Sequence, residues 1–233
     1  HLKGFEQLGA EAEANQGEYT LTSKKLRPGE VVLQEFSVTA TENILMAASL
    51  LPGKTVIKIV ALEPHVKDLS RVLSKMGARI KWLEDHTIEI EGKEKLHGFS
   101  HSLIFDPVEA GSFLILSGLL GKGVVIKNAP LSSLDLVVQK VKEFGIRLER
   151  VQDNSIRVSP PEELLPVQKI QVLPYPGIPT DLQCAFGVLS TQNPGETLIH
   201  DPMYEGRLRY LQDLNRMGAD ISFLDAHQAI IRG

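Results

Sequence analysis

Residues 36–43 read Phe-Ser-Val-Thr-Ala-Thr-Glu-Asn, and an apolar run follows at residues 44–51. The residues just before this stretch, 31–33, are β-branched or apolar and favour a strand. Thr39 and Glu42 have the spacing of a capping box, in which a hydroxyl and a carboxylate accept hydrogen bonds from backbone N–H groups at a helix start. The apolar residues that follow recur at helical spacing. The stretch therefore predicts a strand that turns directly into a helix.

The same kind of junction occurs twice more along the chain. Asp106 precedes Pro107 and an apolar run at residues 113–116, and proline is favoured at the first position of a helix. Thr180 and Gln183 repeat the capping-box spacing before another apolar stretch. Three such junctions in one chain predict a repeated structural unit.

Glycines after the predicted helices show the period of this repeat. Gly9, Gly77, Gly145 and Gly218 each follow an amphipathic stretch, and they are separated by 68, 68 and 73 residues. A predicted hairpin follows each of the last three glycines. Its strands are expected at residues 79–83 with 87–91, 147–151 with 156–158, and 220–224 with 229–231, and its turns at 84–86, 152–154 and 225–227. The repeat is predicted to be strand-helix-strand-helix-strand-strand, which places the chain in the α/β class with mixed sheets.

Composition describes an ordinary globular chain and excludes several classes of protein. Of the 233 residues, 42% are hydrophobic and 23% are charged, and the net charge is −4. An acidic balance disfavours nucleic acid as the main partner, because phosphate backbones recruit basic surfaces. The single cysteine excludes an internal disulfide and fits a reducing compartment. No apolar run is long enough to cross a membrane, so we expect a cytoplasmic protein.

A proline-rich segment at residues 159–179 has two open interpretations. It holds six prolines, which disfavour helix and stiffen an extended chain. The segment is either a linker or a rigid arm that delivers Thr180 and Asp181 to a cleft.

Three residues that could carry chemistry have a simpler structural interpretation. Cys184 lies inside an apolar stretch, which favours a buried small hydrophobic side chain over a nucleophile. His97 and His101 have a metal-like spacing, but Gly98 disfavours a helix and no obvious third ligand is near. A surface loop is the better interpretation there, and no metal site is predicted.

Five segments together carry a resemblance to a known family. They are residues 37–43 (Ser-Val-Thr-Ala-Thr-Glu-Asn), Glu63-Pro64 with Asp68, residues 106–111 (Asp-Pro-Val-Glu-Ala-Gly), residues 174–183 (Pro-Tyr-Pro-Gly-Ile-Pro-Thr-Asp-Leu-Gln) and residues 204–207 (Tyr-Glu-Gly-Arg). In this order the segments resemble those of the UDP-N-acetylglucosamine enolpyruvyl transferases, over essentially the whole chain.

The resemblance implies a fold and a domain organisation. The implied fold has repeated βαβαββ units that form inside-out α/β barrel domains, as in EPSP synthase. Residues 1–102 would hold the end of one repeat and one full repeat of the first domain. Residues 103–233 would hold two repeats of the second domain.

The resemblance also implies a reaction. The family transfers the enolpyruvyl group of phosphoenolpyruvate to the 3-hydroxyl of UDP-N-acetylglucosamine and releases phosphate, the first committed step of peptidoglycan precursor synthesis. No cofactor, nucleic acid or membrane partner is implied. The family's catalytic loop would lie before His1 and its phosphoenolpyruvate-binding arginines after Gly233, so we expect an interior part of a longer enzyme that is inactive in isolation.

Site residues carried over from the family are one catalytic residue and a set that binds substrate. Asp181 matches the carboxylate beside the attacking sugar hydroxyl. The substrate-binding positions are Ser37, Val38 and Thr39 for the UDP phosphates, Met203 at the nucleotide pocket, Arg207 in the active site, and Glu63 and Asp106 as carboxylates of the substrate cleft. From the residues alone, helix capping and loop bonding explain Thr39, Glu63 and Asp106 nearly as well. Glu35 stands where some members have lysine, which removes an expected phosphate contact.

A second function stays open. Related repeats also occur in modules that bind without catalysis, so a sugar-nucleotide-binding or RNA-binding module is the alternative. Its RNA form is disfavoured by the acidic charge and by an aromatic content of 6%, because RNA is usually held by basic and stacking surfaces.

Overall fold

The computed structural model describes residues 1–152 and 154–233, and the chain forms two compact units, His1–Ile104 and Phe105–Gly233. Asp153 lies outside the described residues, and the predicted turn at 152–154 therefore lies partly outside them. No helix in the described part of the chain is long and apolar enough to cross a membrane.

A short helix and a hairpin open the first compact unit. The helix is α1 (Leu2–Gln7), and β1 (Glu11–Asn15) pairs antiparallel with β2 (Glu18–Thr22). Gln16 and Gly17 connect the strands with positive φ angles of 46° and 90°, as a two-residue hairpin turn requires.

One complete copy of the predicted repeat follows in the first compact unit. Its elements are β3 (Glu30–Val32), α2 (Val38–Ser49), β4 (Gly53–Lys58), α3 (Pro64–Lys75), β5 (Arg79–Leu83) and β6 (Thr87–Gly92). The sheet order is β3-β4-β6-β5, in which β3 and β4 run parallel and the other neighbours antiparallel. Helix α2 packs on β4 and β6, and Ile44 and Ile57 are fully buried in the resulting core.

The second compact unit contains two further copies of the repeat. The second copy consists of α4 (Pro107–Leu120), β7 (Val124–Ile126), a 3₁₀ turn (Leu131–Ser133), α5 (Asp135–Glu143), β8 (Arg147–Arg150) and β9 (Ile156–Ser159). The third consists of β10 (Lys169–Gln171), α6 (Thr180–Ser190), β11 (Glu196–His200), a 3₁₀ turn (Arg207–Arg209), α7 (Tyr210–Arg216), β12 (Asp220–Phe223) and β13 (Gln228–Arg232).

The sheets of these two copies differ by one strand. The third repeat has the order β10-β11-β13-β12, with the same strand directions as the first repeat. The second repeat has only β7-β9-β8, and among the described residues no strand is assigned between β6 and α4. Helices α4 and α6 pack together over a shared core, in which the rings of Phe144 and Phe186 stack at 6.3 Å between centroids.

The glycines that mark the sequence period end helices as expected. Gly9, Gly77, Gly145 and Gly218 have φ angles of 94°, 115°, 85° and 103°. This left-handed backbone is the usual way to close a helix and costs glycine nothing, because glycine has no Cβ. The predicted hairpins follow Gly77, Gly145 and Gly218 and agree with the observed strands to within one residue at each end.

The predicted capping box at Thr39 is wrong. The side chain of Ser37 caps α2, because its Oγ accepts a hydrogen bond from the Ala40 N–H at 3.3 Å. Thr39 is the second residue of the helix, and its Oγ1 lies 2.8 Å from Nε2 of His1. The helix thus starts two residues earlier than the Thr39–Glu42 spacing predicts.

The capping box at Thr180 is also wrong, whereas the cap at Asp106 is confirmed. Thr180 lies inside α6, and its hydroxyl donates to Asp201 Oδ2 at 2.6 Å instead of capping the helix. Asp106 Oδ1 accepts from the backbone N–H groups of Val108 and Glu109 at 2.7 and 3.2 Å. Pro107 occupies the first helical position, as predicted.

The proline-rich segment at residues 159–179 is not a plain linker. It contains β10, which pairs in parallel with β11 through a register that places Ile170 opposite Ile199. Both side chains are fully buried. The segment therefore supplies the first strand of the third repeat before the chain enters α6.

Close packing of α6 on α7 predicts a loss of stability for Gly187→Ala. A Cβ at Gly187 would overlap the hydroxyl of Tyr210, which makes a long hydrogen bond of 3.5 Å to the Gln183 carbonyl. Overpacking costs about 1–3 kcal/mol, and the better helix propensity of alanine returns about 1 kcal/mol. Chemical denaturation should show a net loss of about 1 kcal/mol in Gly187→Ala. The loss should shrink when Tyr210→Phe removes the hydroxyl; an equal loss in both backgrounds would contradict the steric account.

Candidate functional site

Asp181 and Arg207 form an ion pair at the start of α6. Arg207 Nη2 lies 2.6 Å from Asp181 Oδ1. Asp181 is in the first turn of the helix, where a carboxylate interacts favourably with the helix dipole. The two side chains are 56% and 43% exposed, and an exposed pair of this kind contributes little to stability. The pair is therefore accessible to a ligand, and its contribution to the fold is small.

The loop that carries Arg207 holds two further candidate contacts. Gly206 has a left-handed φ of 73°, which turns the chain into the 3₁₀ segment that begins at Arg207. The guanidinium of Arg207 lies 5.4 Å from the ring centroid of Tyr204, within cation–π range. Met203 is 38% exposed, and its backbone N–H donates to Asp201 Oδ1 at 3.0 Å. Three of the predicted residues, Asp181, Met203 and Arg207, thus belong to one connected part of the third repeat.

Asp106 stands apart from this group. Its Oδ1 is engaged by the start of its own helix. Among the described residues, no hydrogen bond or ion pair joins Asp106 to Asp181 or Arg207. The capping interpretation accounts for Asp106 in this structure, and a contact with substrate remains a prediction.

Ser37, Val38 and Thr39 form the first turn of α2 in the first compact unit. Helix geometry leaves the N–H groups of Val38 and Thr39 without an acceptor inside the helix. Thr39 is exposed, and Ser37 and Val38 are partly buried. N–H groups at a helix start, together with its dipole, favour an anion, which is the chemistry that the resemblance assigns to this segment.

Glu63 lies at the start of α3, in the first compact unit. Its side chain makes no capping hydrogen bond. The atom Oε2 is buried and has no hydrogen-bond partner among the described residues. The structure therefore excludes capping as the reason for this glutamate.

The predicted burial of Cys184 is wrong. Its side chain is exposed on α6, and Sγ lies 3.5 Å from the backbone oxygen of Asp181. The apolar neighbours Leu182 and Phe186 are buried on the other side of the same helix. Burial raises the pKa of the nearby Tyr210 hydroxyl far above its ordinary value, so that hydroxyl stays protonated.

His97 and His101 lie in a loop, as predicted, but the side chain of His101 is buried instead of exposed. The His101 side chain is 8% exposed, and Nε2 lies 3.0 Å from Asp68, which is 7% exposed. Burial alone would raise the pKa of Asp68, but hydrogen bonds from His101, the Ile104 backbone and Arg71 hold it below its ordinary value. In the described chain, no group of three or more His, Cys, Asp or Glu side chains is arranged to hold a metal ion.

Asp201 is the residue near the site that the sequence analysis missed. It follows β11 directly and is completely buried. In the sequence, Asp201-Pro202 after an apolar strand is typical of a turn, which hides its role. The one sequence feature that could have pointed to Asp201 is that it is an acidic residue at the end of a strand, close to the Met203–Arg207 segment.

Family comparison identifies the relatives of the chain. The model of the EPSP synthase (3-phosphoshikimate 1-carboxyvinyltransferase) family matches residues 1–233. The chain is 39% identical over 233 residues to UDP-N-acetylglucosamine 1-carboxyvinyltransferase 2 of Bacillus subtilis, and covers 54% of that protein. It is also 39% identical over 233 residues to the UDP-N-acetylglucosamine 1-carboxyvinyltransferase of Sorangium cellulosum, and covers 55% of it. The chain thus spans about half the length of the curated relatives it matches.

Solved structures agree with the fold that the resemblance implied. The enolpyruvyl transferase NikO of Streptomyces tendae superposes with a TM-score of 0.84 at 21% identity, over 98% of this chain and 57% of that one. An EPSP synthase of Acinetobacter baumannii gives a TM-score of 0.66 at 19% identity, over 98% and 55%. The predicted α/β fold with repeated βαβαββ units, of the EPSP synthase type, is confirmed.

Proposed function

The chain belongs to the EPSP synthase family, and from this membership we propose that the whole protein transfers an enolpyruvyl group. The donor is phosphoenolpyruvate, the acceptor is the 3-hydroxyl of UDP-N-acetylglucosamine, and phosphate is released. The observation that carries the proposal is the exposed Asp181–Arg207 pair, in a chain 39% identical to proteins named for this activity.

The reaction requires a base next to the hydroxyl group that attacks phosphoenolpyruvate. The sugar oxygen loses its proton and forms a bond to the central carbon of phosphoenolpyruvate, while the carbon–carbon double bond breaks and the methylene carbon takes up a proton. Loss of a proton from that methyl carbon then re-forms the double bond as phosphate leaves the central carbon. A hydroxyl is a poor nucleophile until a base within hydrogen-bond reach takes its proton. Asp181 has an exposed carboxylate in the first turn of α6 and is our choice for this role. Arg207 fixes the carboxylate through a hydrogen bond of 2.6 Å.

Further residues are assigned to binding in this proposal. The first turn of α2, with Ser37, Val38 and Thr39, binds the diphosphate of the nucleotide through N–H and hydroxyl groups. Met203 contacts the nucleotide through its exposed side chain. Asp106 and Glu63 are assigned as substrate-binding carboxylates, and for Glu63 the lack of a capping hydrogen bond supports the assignment. We also propose that residues 1–102 and 103–233 belong to different domains of the whole protein.

Binding of UDP-N-acetylglucosamine tests the substrate assignment. In the full-length protein, Thr39→Val should weaken binding by about 3- to 10-fold, the size expected for the loss of one hydrogen bond. Ser37→Val should weaken it more, because it also removes the cap of α2. Calorimetry with the purified protein measures both effects.

A matched substitution and two other ligands serve as controls for this experiment. Thr20→Val makes the same chemical change on the exposed strand β2 and should leave the affinity unchanged. Equal affinity for UDP-galactose or for single-stranded RNA would contradict the substrate assignment, and the RNA result would favour the binding module.

A further inference from the structure

Asp201 is a buried carboxylate with a hydrogen-bond donor on each oxygen. No part of the residue is exposed to solvent. Its Oδ2 accepts from the hydroxyl of Thr180 at 2.6 Å, and its Oδ1 accepts from the backbone N–H of Met203 at 3.0 Å. A buried charge is costly unless such bonds satisfy it. The carboxylate therefore joins two segments that lie far apart in the sequence.

Those two segments carry the two partners of the exposed ion pair. Thr180 immediately precedes Asp181 at the start of α6, and Met203 precedes Arg207 by four residues in the loop after β11. A single side chain thus fixes both segments to each other. Loss of this link would free the loop to move relative to the helix start.

The main chain of Asp201 is itself held in place. Its N–H donates to the His227 carbonyl at 2.9 Å, and Nδ1 of His227 lies 2.8 Å from the Asp201 carbonyl oxygen. A carbonyl oxygen only accepts, so Nδ1 of His227 carries the hydrogen in this contact. His227 lies in the turn between β12 and β13, which anchors Asp201 to the sheet.

The first repeat contains the same backbone arrangement without the carboxylate. There, Val60 donates its N–H to the His86 carbonyl at 2.9 Å, and Nδ1 of His86 lies 2.9 Å from the Val60 carbonyl oxygen. The histidine link therefore occurs in two copies of the repeat, and in the first copy an aliphatic residue satisfies it. The carboxylate of Asp201 is an addition in the repeat that carries the Asp181–Arg207 pair.

We propose that Asp201 is a positioning residue that holds the Asp181–Arg207 pair in its reactive arrangement. It acts through Thr180 and Met203 and does not touch substrate. The inference rests on the proposed function, because only that function gives the Asp181–Arg207 pair a role in catalysis.

Asp201→Val in the full-length protein tests this role. Valine cannot accept a hydrogen bond, so Thr180 and Met203 both lose their partner, and Val60 shows that an aliphatic residue fits the same backbone arrangement in the first repeat. We expect kcat to fall about 10- to 100-fold, as for a small displacement of reacting groups, while the Kd for UDP-N-acetylglucosamine changes much less. Crystal structures of the wild type and the variant give a readout that does not depend on activity. The distance from Arg207 Nη2 to Asp181 Oδ1 should increase beyond about 4 Å, the limit of an ion pair.

Variants at Thr180 test the same link from its other end. Thr180→Val should lower kcat, Thr180→Ser should retain more activity than Thr180→Val, and the double variant of Thr180→Val with Asp201→Val should be no worse than the single ones. Asp213→Asn removes an exposed carboxylate that pairs with Arg216 and should have no effect.

The outcomes separate the inference from the proposed function. An unchanged kcat and an unchanged ion-pair distance in Asp201→Val would overturn the positioning role. If Asp201→Val does not fold, additive effects of Thr180→Val and Arg207→Gln on kcat would overturn it. If the wild type transfers no enolpyruvyl group, the proposed function fails, and the crystal structures of the wild type and of Asp201→Val or Thr180→Val still decide whether this link holds the pair together.

Discussion

Asp181→Asn in the full-length protein should lower kcat by about 10²- to 10⁴-fold, the usual range for loss of a general base. The amide preserves the shape of the side chain but removes the charge that faces Arg207 and the ability to accept a proton. Binding of UDP-N-acetylglucosamine should change much less, because the rest of the site is untouched. Steady-state release of phosphate gives kcat, and calorimetry gives the affinity.

Two comparisons separate catalysis from loss of the ion pair. Arg207→Gln breaks the same pair but leaves the carboxylate, so it should cost less in kcat than Asp181→Asn. The matched control Asp213→Asn, which breaks an exposed pair in α7, should behave like the wild type. A nearly normal kcat in Asp181→Asn would mean that Asp181 is only a residue of a helix start, and the base would have to be sought elsewhere.

Local patterns were sufficient to predict most of the fold. The hairpin strand at residues 79–83 was predicted with its observed bounds, because alternation of side chains and a left-handed glycine are properties of neighbouring residues. The regular spacing of the glycines was sufficient to predict the repeat without knowledge of any contact. The short strand β10 was missed, because three residues among prolines carry no periodic signal.

Errors occurred where a partner distant in sequence decides the outcome. Thr180 has the spacing of a cap, yet its hydroxyl bonds Asp201, 21 residues further on. Thr39 also has that spacing, yet its Oγ1 lies 2.8 Å from Nε2 of His1, 38 residues earlier in the sequence. His101 was predicted on the surface, and its partner Asp68 is 33 residues away. No pattern within one helix or loop contains these pairings.

The candidate site was predicted in part for the same reason. Asp181 and Arg207 were identified through their resemblance to family motifs, and the structure brings them to 2.6 Å. Asp201 carries no motif and became visible only through its burial and its two donors. Residues that bind ligands stand in recognisable segments, whereas a residue that supports them is defined by its contacts.

Loss of the buried contact between Asp68 and His101 should reduce the stability of the first compact unit. Nζ of Lys75 lies 3.1 Å from Nδ1 of His101. An ammonium group only donates, so Nδ1 accepts and Nε2 carries the proton that His101 donates to Asp68.

Asp68→Asn replaces a charged acceptor by a neutral one, which costs about 2 kcal/mol for a buried bond of this kind. Denaturant unfolding of the purified protein measures the loss. Arg71→Gln is the matched control, since this contact to Asp68 is long at 3.5 Å and Arg71 is 62% exposed; it should cost a few tenths of a kcal/mol.

The effect of Asp68 should also depend on pH in a defined direction. The folded state holds the pKa of Asp68 below its ordinary value of 3.8. Folding therefore favours the ionised carboxylate, and this contribution is fully present above that value. As the pH falls through the folded pKa, the carboxylate is protonated in both states and the contribution is lost. The difference in unfolding free energy between the wild type and Asp68→Asn should stay constant from neutral pH down to about pH 5 and shrink below about pH 4. A difference that changes between pH 7 and pH 5 would contradict the assignment of this stabilisation to the Asp68 carboxylate.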